Sequence, residues 1–404
     1  MAAARIPVLA RVTVLSALAL LAACNDTPPG EPEPTGRLTG KILEATRSTP
    51  IAGAMVTVEN QPTTTAADGS FELTGLPVRN LLLKVSAPGF ESFEETITLL
   101  AGDNQRDIRL SVRTFYPYSV DSDSFAVYIP PFVDTLRGVL FVIGGALDGS
   151  LSLVRGSPLP APPLLTDPAQ FLEWHTKLRA FADAEGFALL GEDALRPGVG
   201  DLGRDLVRRA VERLPQEVSR PELQYTPLLL IGHGTGACKA MDFTAVAAEQ
   251  VVGFIAMKDA CPLFPIPNAH AVPGYMFIGE TDTFAINDIT KVFEINRPPG
   301  ALWALAVEAG AGHTLVADLD LLAEWLKTVI ELRLPQNVTP GQPVILRTID
   351  QSVGWLANRE TFEIGTFACY NADKSKAAWL PSMQAAKRWQ AMASRGTVNT
   401  VIGC

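Results

Sequence analysis

Histidine is scarce. The 404-residue chain has only His175, His233, His270 and His313, and no two of them stand in a His-x-x-x-His arrangement. That argues against a helix-borne zinc site, and no metal or other cofactor is expected. Basic residues are also few. Lys and Arg number 33 against 43 Asp and Glu, a formal charge of −10. No Lys or Arg cluster occurs beyond the first residues, so nucleic acid is not an expected partner. The apolar stretch from Val12 to Leu21 is too short for a bilayer-spanning helix.

That stretch has a different meaning. Arg5 and Arg11 lie before it, the charged-then-apolar order of an export signal. It ends in Leu21-Ala22-Ala23-Cys24, which resembles the bacterial lipobox. The resemblance implies that residues 1–23 are a lipoprotein signal peptide and that Cys24 is lipidated as the mature N-terminus. The expected location is the cell envelope, with the exported protein anchored to a bacterial membrane by acyl chains. Residues 24–35 hold Pro28, Pro29, Pro32 and Pro34 and read as an extended tether.

Export favours disulfides, and Cys238, Cys261, Cys369 and Cys404 remain. Three pairings are open. Cys238 with Cys261 and Cys369 with Cys404 are favoured because each pair lies within one region. Free buried thiols are the alternative.

Residues 36–113 read as short alternating strands: Gly40–Leu43, Ala54–Val58, Gly69–Leu73 and Leu81–Val85. Asp68-Gly69 marks a hairpin between two of them. Pro50-Ile51-Ala52-Gly53-Ala54, Ala67-Asp68-Gly69-Ser70-Phe71 and Ala87-Pro88-Gly89-Phe90 follow in the order of the carboxypeptidase regulatory-like domain, which this segment resembles. The resemblance implies a small β-sandwich acting as spacer or weak binding unit, with no catalytic group.

From residue 114 to 334 the pattern changes to strands alternating with helices. Gly138–Ile143 is almost uninterruptedly apolar, the mark of a strand buried on both faces. A helix follows from Asp167 to Glu185, with Asp167 as cap and Pro168 at its first position. Further strands are expected at Gly186–Leu190, Tyr225–Ile231, Val251–Met257, Tyr275–Ile278 and Trp303–Val307. Further helices are expected at Asp201–Leu214, Thr235–Glu249 and Leu319–Leu332. The fold class is α/β, a doubly wound, mostly parallel sheet. Residues 335–404 are a C-terminal extension with Trp355, Trp379, Trp389 and a polar helix near 381–392, packed over the sheet's edge or over the site's rim.

The chemistry centres on Leu228-Leu229-Leu230-Ile231-Gly232-His233-Gly234-Thr235-Gly236. An apolar strand running into Gly-x-Nu-x-Gly is a nucleophile elbow, so this domain resembles the α/β-hydrolase fold family. Glycine occupies the nucleophile position, 234, and no Gly-x-Ser-x-Gly occurs elsewhere. Without Oγ, thiol or carboxylate, covalent acyl-enzyme chemistry has no atom to pass through. The family's order, nucleophile then acid then histidine, places Asp282 and His313 in the other two roles. Thr235 supplies one oxyanion donor by position. Ile143-Gly144-Gly145-Ala146-Leu147 resembles the family's glycine-containing loop and makes Ala146 or Leu147 the second. Thr235 as a displaced nucleophile would put His233 where the turn needs a small residue. Cys238, a helical turn further on, faces away from the strand ends. His233 packs beside the elbow.

The leading expectation is a homologue without serine-esterase chemistry that binds a small-molecule or polymeric ester-like ligand or a partner in the old cleft. Two alternatives are a slow hydrolase using the His313/Asp282 dyad on water, and an esterase with a nucleophile elsewhere.

Overall fold

The computed structural model describes residues 33–144, 150–156, 168–193, 201–283, 286–339 and 341–404. Cys24, Ala146, Leu147 and the expected cap Asp167 therefore lie outside the described residues. The chain divides into two compact units, a small one made of N-terminal residues up to Ile108 and a large one that holds Arg109–Cys404.

The small unit is all β. Its strands are β1 (Thr35–Glu44), β2 (Met55–Val58), β3 (Gln61–Thr64), β4 (Ser70–Pro77), β5 (Asn80–Ser86), β6 (Phe93–Thr98), β7 (Gly102–Gln105) and β8 (Ile108–Leu110). One sheet runs β4-β1-β7 with β8 also on β1, and the other runs β3-β2-β5-β6. Burial alternates along β5, where Leu81, Leu83 and Val85 are inside and their neighbours outside. Each such strand offers one apolar face, as its period-2 pattern requires. The turn at Asp68-Gly69 does not join paired strands. β2 pairs antiparallel with β3 through Glu59-Asn60, whereas Gly69 leads into β4 of the other sheet. Asp-Gly signals a turn but not which strands flank it.

The large unit is built on an eight-stranded sheet. Its strands are β9 (Phe115–Val120), β10 (Asp123–Tyr128), β11 (Gly138–Ile143), β12 (Phe187–Asp193), β13 (Leu228–His233), β14 (Val251–Met257), β15 (Gly274–Gly279) and β16 (Trp303–Glu308). Their order is β16-β15-β14-β13-β11-β12-β10-β9. The six strands from β16 to β12 pair in parallel, and β10 and β9 complete the edge antiparallel. The helices are α1 (Ser150–Arg155), α2 (Pro168–Glu185), α3 (Asp201–Glu217), α4 (Thr235–Val246), α5 (Ile286–Asn296), α6 (Leu319–Arg333) and α7 (Met383–Ala393).

Two cores lie against the sheet. Val139, Phe141 and Ile143 of β11 pack with α3, α4 and α5, while Leu140 and Val142 pack with α2, α6 and α7. The continuous apolar run of β11 therefore serves both faces, residue by residue. Strands β9 and β10 and helix α5 were not legible beforehand. Pro117 in β9 and the polar start of β10, Asp123-Ser124, blur their alternation, and α5 shows buried apolar positions only at Ile289, Val292 and Phe293.

The C-terminal extension covers the β16 edge. A small sheet, β19 (Ala378–Leu380), β17 (Trp355–Ala357), β18 (Ile364–Thr366) and β20 (Val401–Ile402), packs with α7 on that side. The Trp389 indole donates to the Leu305 carbonyl of β16 at 2.8 Å, and Trp379 is fully buried. Both expected disulfides are present: Cys238–Cys261 joins α4 to the segment after β14, and Cys369–Cys404 closes the tail, each with Cα atoms 4.9 Å apart.

Candidate functional site

Parallel strands bring their carboxyl ends to one rim, and the loops beyond them meet there. The register aligns His233 of β13 with Met257 of β14, and Met257 with Phe277 of β15. The elbow, the segment from Lys258 and the acid loop are thereby neighbours. The β16 loop joins them through Gly279, which pairs with Glu308.

The turn at 232–236 is sharp and closely packed. A Cβ on Gly232 would stand 2.4 Å from the Gly236 carbonyl oxygen, and one on Gly236 would stand 2.1 Å from that of Ile143. Both positions therefore admit only hydrogen. Between them Gly234 has φ +55° and ψ −130°, a conformation that side-chain-bearing residues rarely adopt. Its amide donates to the Met257 carbonyl at 2.9 Å, fixing the tip to the neighbouring strand. The frame is centred on residue 234, not on Thr235.

Thr235 begins α4, whose first amides have no carbonyl a turn earlier in the helix. Cys238 is buried and disulfide-bonded, so its thiol offers no substitute nucleophile.

The acid and the imidazole meet. His313 Nδ1 and Asp282 Oδ2 are 2.9 Å apart. Asp282 is buried, while about a third of the His313 side chain is exposed. The loops carrying them are joined by backbone and side-chain contacts. Thr281 gives both its amide and its hydroxyl to the Ala311 carbonyl at 2.9 Å, and the Gly310 amide donates to Glu280 Oε2 at 2.7 Å. Gly279 makes this approach possible, since a Cβ there would lie 2.3 Å from the Gly312 oxygen. The His233 ring meets the His313 ring edge-on, with centroids 4.9 Å apart.

His175 and His270 have structural partners: the Leu153 carbonyl for the first, and the Asn296 side chain, 2.9 Å away, for the second. Among the described residues no group of three or more His, Cys, Asp or Glu is arranged to hold a metal ion.

Sequence reading missed three charged features. Asp259, after β14, is more than half buried. Burial raises its carboxyl above the usual range, Asp288 and Asp282 add to the shift, and the Ala260 amide and His313 oppose it. Lys258 pairs with Glu308 at 2.7 Å, and Lys239 of α4 pairs with Glu192 of β12 at 2.7 Å and reaches the Gly144 carbonyl at 3.4 Å. A lone lysine in an apolar run, as in Cys238-Lys239-Ala240-Met241, was the available signal, because a charge enters a core only with a partner.

Residues 37–112 match the family model of the carboxypeptidase regulatory-like domain. The small unit carries such a domain. No curated protein matches the chain at a significant level. Similar solved structures include a thermostable esterase, 8% identical, covering 73% of this chain and 96% of its own, with a TM-score of 0.36. Poly(aspartic acid) hydrolase-1 from Sphingomonas sp. KT-1 is 10% identical and covers 52% of this chain and 96% of its own, with a TM-score of 0.38. A carbohydrate binding protein from Bacteroides uniformis ATCC 8492, itself described as putative, is 14% identical over 24% of this chain, with a TM-score of 0.18. The chain spans 52% of that protein, about half its length. The regulatory-like domain accounts for the small unit alone.

Proposed function

We propose that the large unit is an α/β-hydrolase-type domain that has given up covalent serine chemistry and binds an ester-like ligand, small or polymeric, in the cleft above the elbow. The observation that carries this is Gly234 itself. It keeps the strained backbone of a nucleophile elbow between two glycines that contact the backbone, yet bears no atom able to attack. Thr235 and the loop of Ala146 or Leu147 are assigned as the amide donors for the ligand's carbonyl oxygen. Wild-type protein is expected to resist labelling by a serine-directed phosphonate while retaining measurable affinity for non-hydrolysable ester analogues. Absence of that affinity would overturn the binding reading.

A second reading is favoured by the 2.9 Å bond between His313 and Asp282. An imidazole oriented by a buried carboxylate is a competent general base, and general-base catalysis contributes about 10²- to 10⁴-fold. In this reading His313 draws a proton from water as it attacks the ligand's carbonyl carbon at the place left open by residue 234. The tetrahedral adduct then collapses, the ester C–O bond breaks, and the proton passes from His313 to the departing alcohol oxygen, leaving acid and alcohol. Slow ester hydrolysis that vanishes in His313→Ala would select it over pure binding. For the whole chain the proposal is an envelope lipoprotein anchored through Cys24, with residues 24–35 as tether, the regulatory-like domain of residues 36–113 as spacer or weak binding unit, residues 114–334 holding the cleft and residues 335–404 as its C-terminal extension.

A further inference from the structure

Four contacts around the dyad converge on Glu308, the last residue of β16 and five residues before His313. The Glu308 carbonyl accepts the Glu280 amide at 3.0 Å and the Ala311 amide at 3.3 Å. Its carboxylate accepts the Ala317 amide at Oε1, 2.8 Å, and Lys258 Nζ at Oε2, 2.7 Å. His313 thus sits on a loop held on both sides by one residue, at Ala311 before it and at Ala317 after it. The Asp282 loop is held by the same residue through Glu280.

Lys258 completes the arrangement. Its side chain is wholly buried and that of Glu308 nearly so. A carboxylate in that position without a counter-charge would be strongly destabilising. Lys258 reaches it from the residue after β14, with φ +62° and its amide bonded to the Phe277 carbonyl at 2.9 Å. Positive φ at a lysine is an unfavourable backbone state that persists only where surrounding contacts enforce it. An apolar pair of similar volume would fill this space at little or no loss of stability. It would not accept the Ala317 amide, nor fix the register of the histidine loop against the acid loop.

We propose that Lys258 and Glu308 are a positioning pair that sets His313 against Asp282 and acts on the cleft only through that imidazole. The proposal rests on the reading that the His313–Asp282 dyad is the working group of the site.

The test is low-field proton NMR of the full chain, observing the Nδ1–H proton of a histidine bonded to a carboxylate, assigned by its loss in Asp282→Ala. In Lys258→Met/Glu308→Leu, which removes both charges and the acceptor of the Ala317 amide together, this resonance is expected to disappear or broaden beyond detection while circular dichroism shows a folded protein. Lys258→Arg, which keeps the charge, is expected to retain it. A resonance of wild-type intensity in the folded double variant overturns the proposal. Should the double variant not fold, amide exchange in the wild-type protein decides. An Ala317 amide, held by the Glu308 carboxylate, that is protected like the amides of β16 supports the pair, and its exchange at the rate of exposed loops overturns it. The readout is the dyad bond itself, so a cleft without ester affinity leaves it unchanged. Absence of the resonance from wild-type protein would instead remove the dyad on which the general-base reading and this proposal stand.

Discussion

At the scale of single residues, the elbow is three glycines with different reasons to be glycine. Gly232 and Gly236 are fixed by contact, since a methyl group at either would collide with backbone. Gly232→Ala and Gly236→Ala are each expected to lower stability by about 1–3 kcal/mol, the usual cost of overpacking, as read by chemical denaturation. Gly234 is glycine without a catalytic need for it, and its φ of +55° makes it the most comfortable residue there. Gly234→Ser is therefore expected to lose about 1–3 kcal/mol of stability to backbone strain while restoring a hydroxyl at the turn's tip. The sequence pattern made this site legible because Gly-x-Nu-x-Gly depends on close backbone approach, which leaves a mark at fixed spacing. Lys258, Glu308 and Asp259 left no such mark. Their roles arise from pairing between loops of different strands, which spacing along the chain does not reveal.

At the scale of elements, each long apolar strand of the large sheet could be read because it is buried on both faces, whereas the two antiparallel edge strands and the C-terminal sheet could not. The C-terminal strands are two or three residues long, too short to show a period. Their function in the fold is to cover β16, the last strand of the sheet and the one that leads into the His313 loop. Trp389 carries much of that cover, packed in the same core as α6 and bonded to the Leu305 carbonyl. Trp389→Ala is expected to cost about 3–5 kcal/mol, and Trp389→Phe, which loses the hydrogen bond but keeps most of the volume, about 0.5–1.5 kcal/mol. Equilibrium unfolding of the two variants checks both the size and the order of these losses. The Cys238–Cys261 bridge ties the elbow helix to the segment that carries Asp259. Its removal by paired alanine substitution is expected to cost about 2–4 kcal/mol.

At the scale of the whole molecule, Asp259 contributes a pH dependence. Burial raises the Asp259 carboxyl above its value in the unfolded chain, so between those two values the folded state binds more protons than the unfolded one. Stability contributed by this group is therefore present at low pH and falls as pH rises through the folded-state value. Asp259→Asn, which keeps an acceptor for the Ala260 amide, is expected to raise the melting temperature at neutral pH and to have no such effect in acid. A melting temperature that the substitution leaves unchanged at every pH would show that the Asp259 charge is not paid for in folding. The central claim, that a general base and its orienting acid still face an emptied nucleophile position, has a single direct test: mass-spectrometric detection of a serine-directed phosphonate on wild-type, Gly234→Ser and Gly234→Ser/His313→Ala proteins. The account predicts no adduct on the wild type, an adduct at residue 234 in the single variant, and little or none in the double. An adduct on wild-type protein, or a folded Gly234→Ser protein that takes up no label, would contradict it.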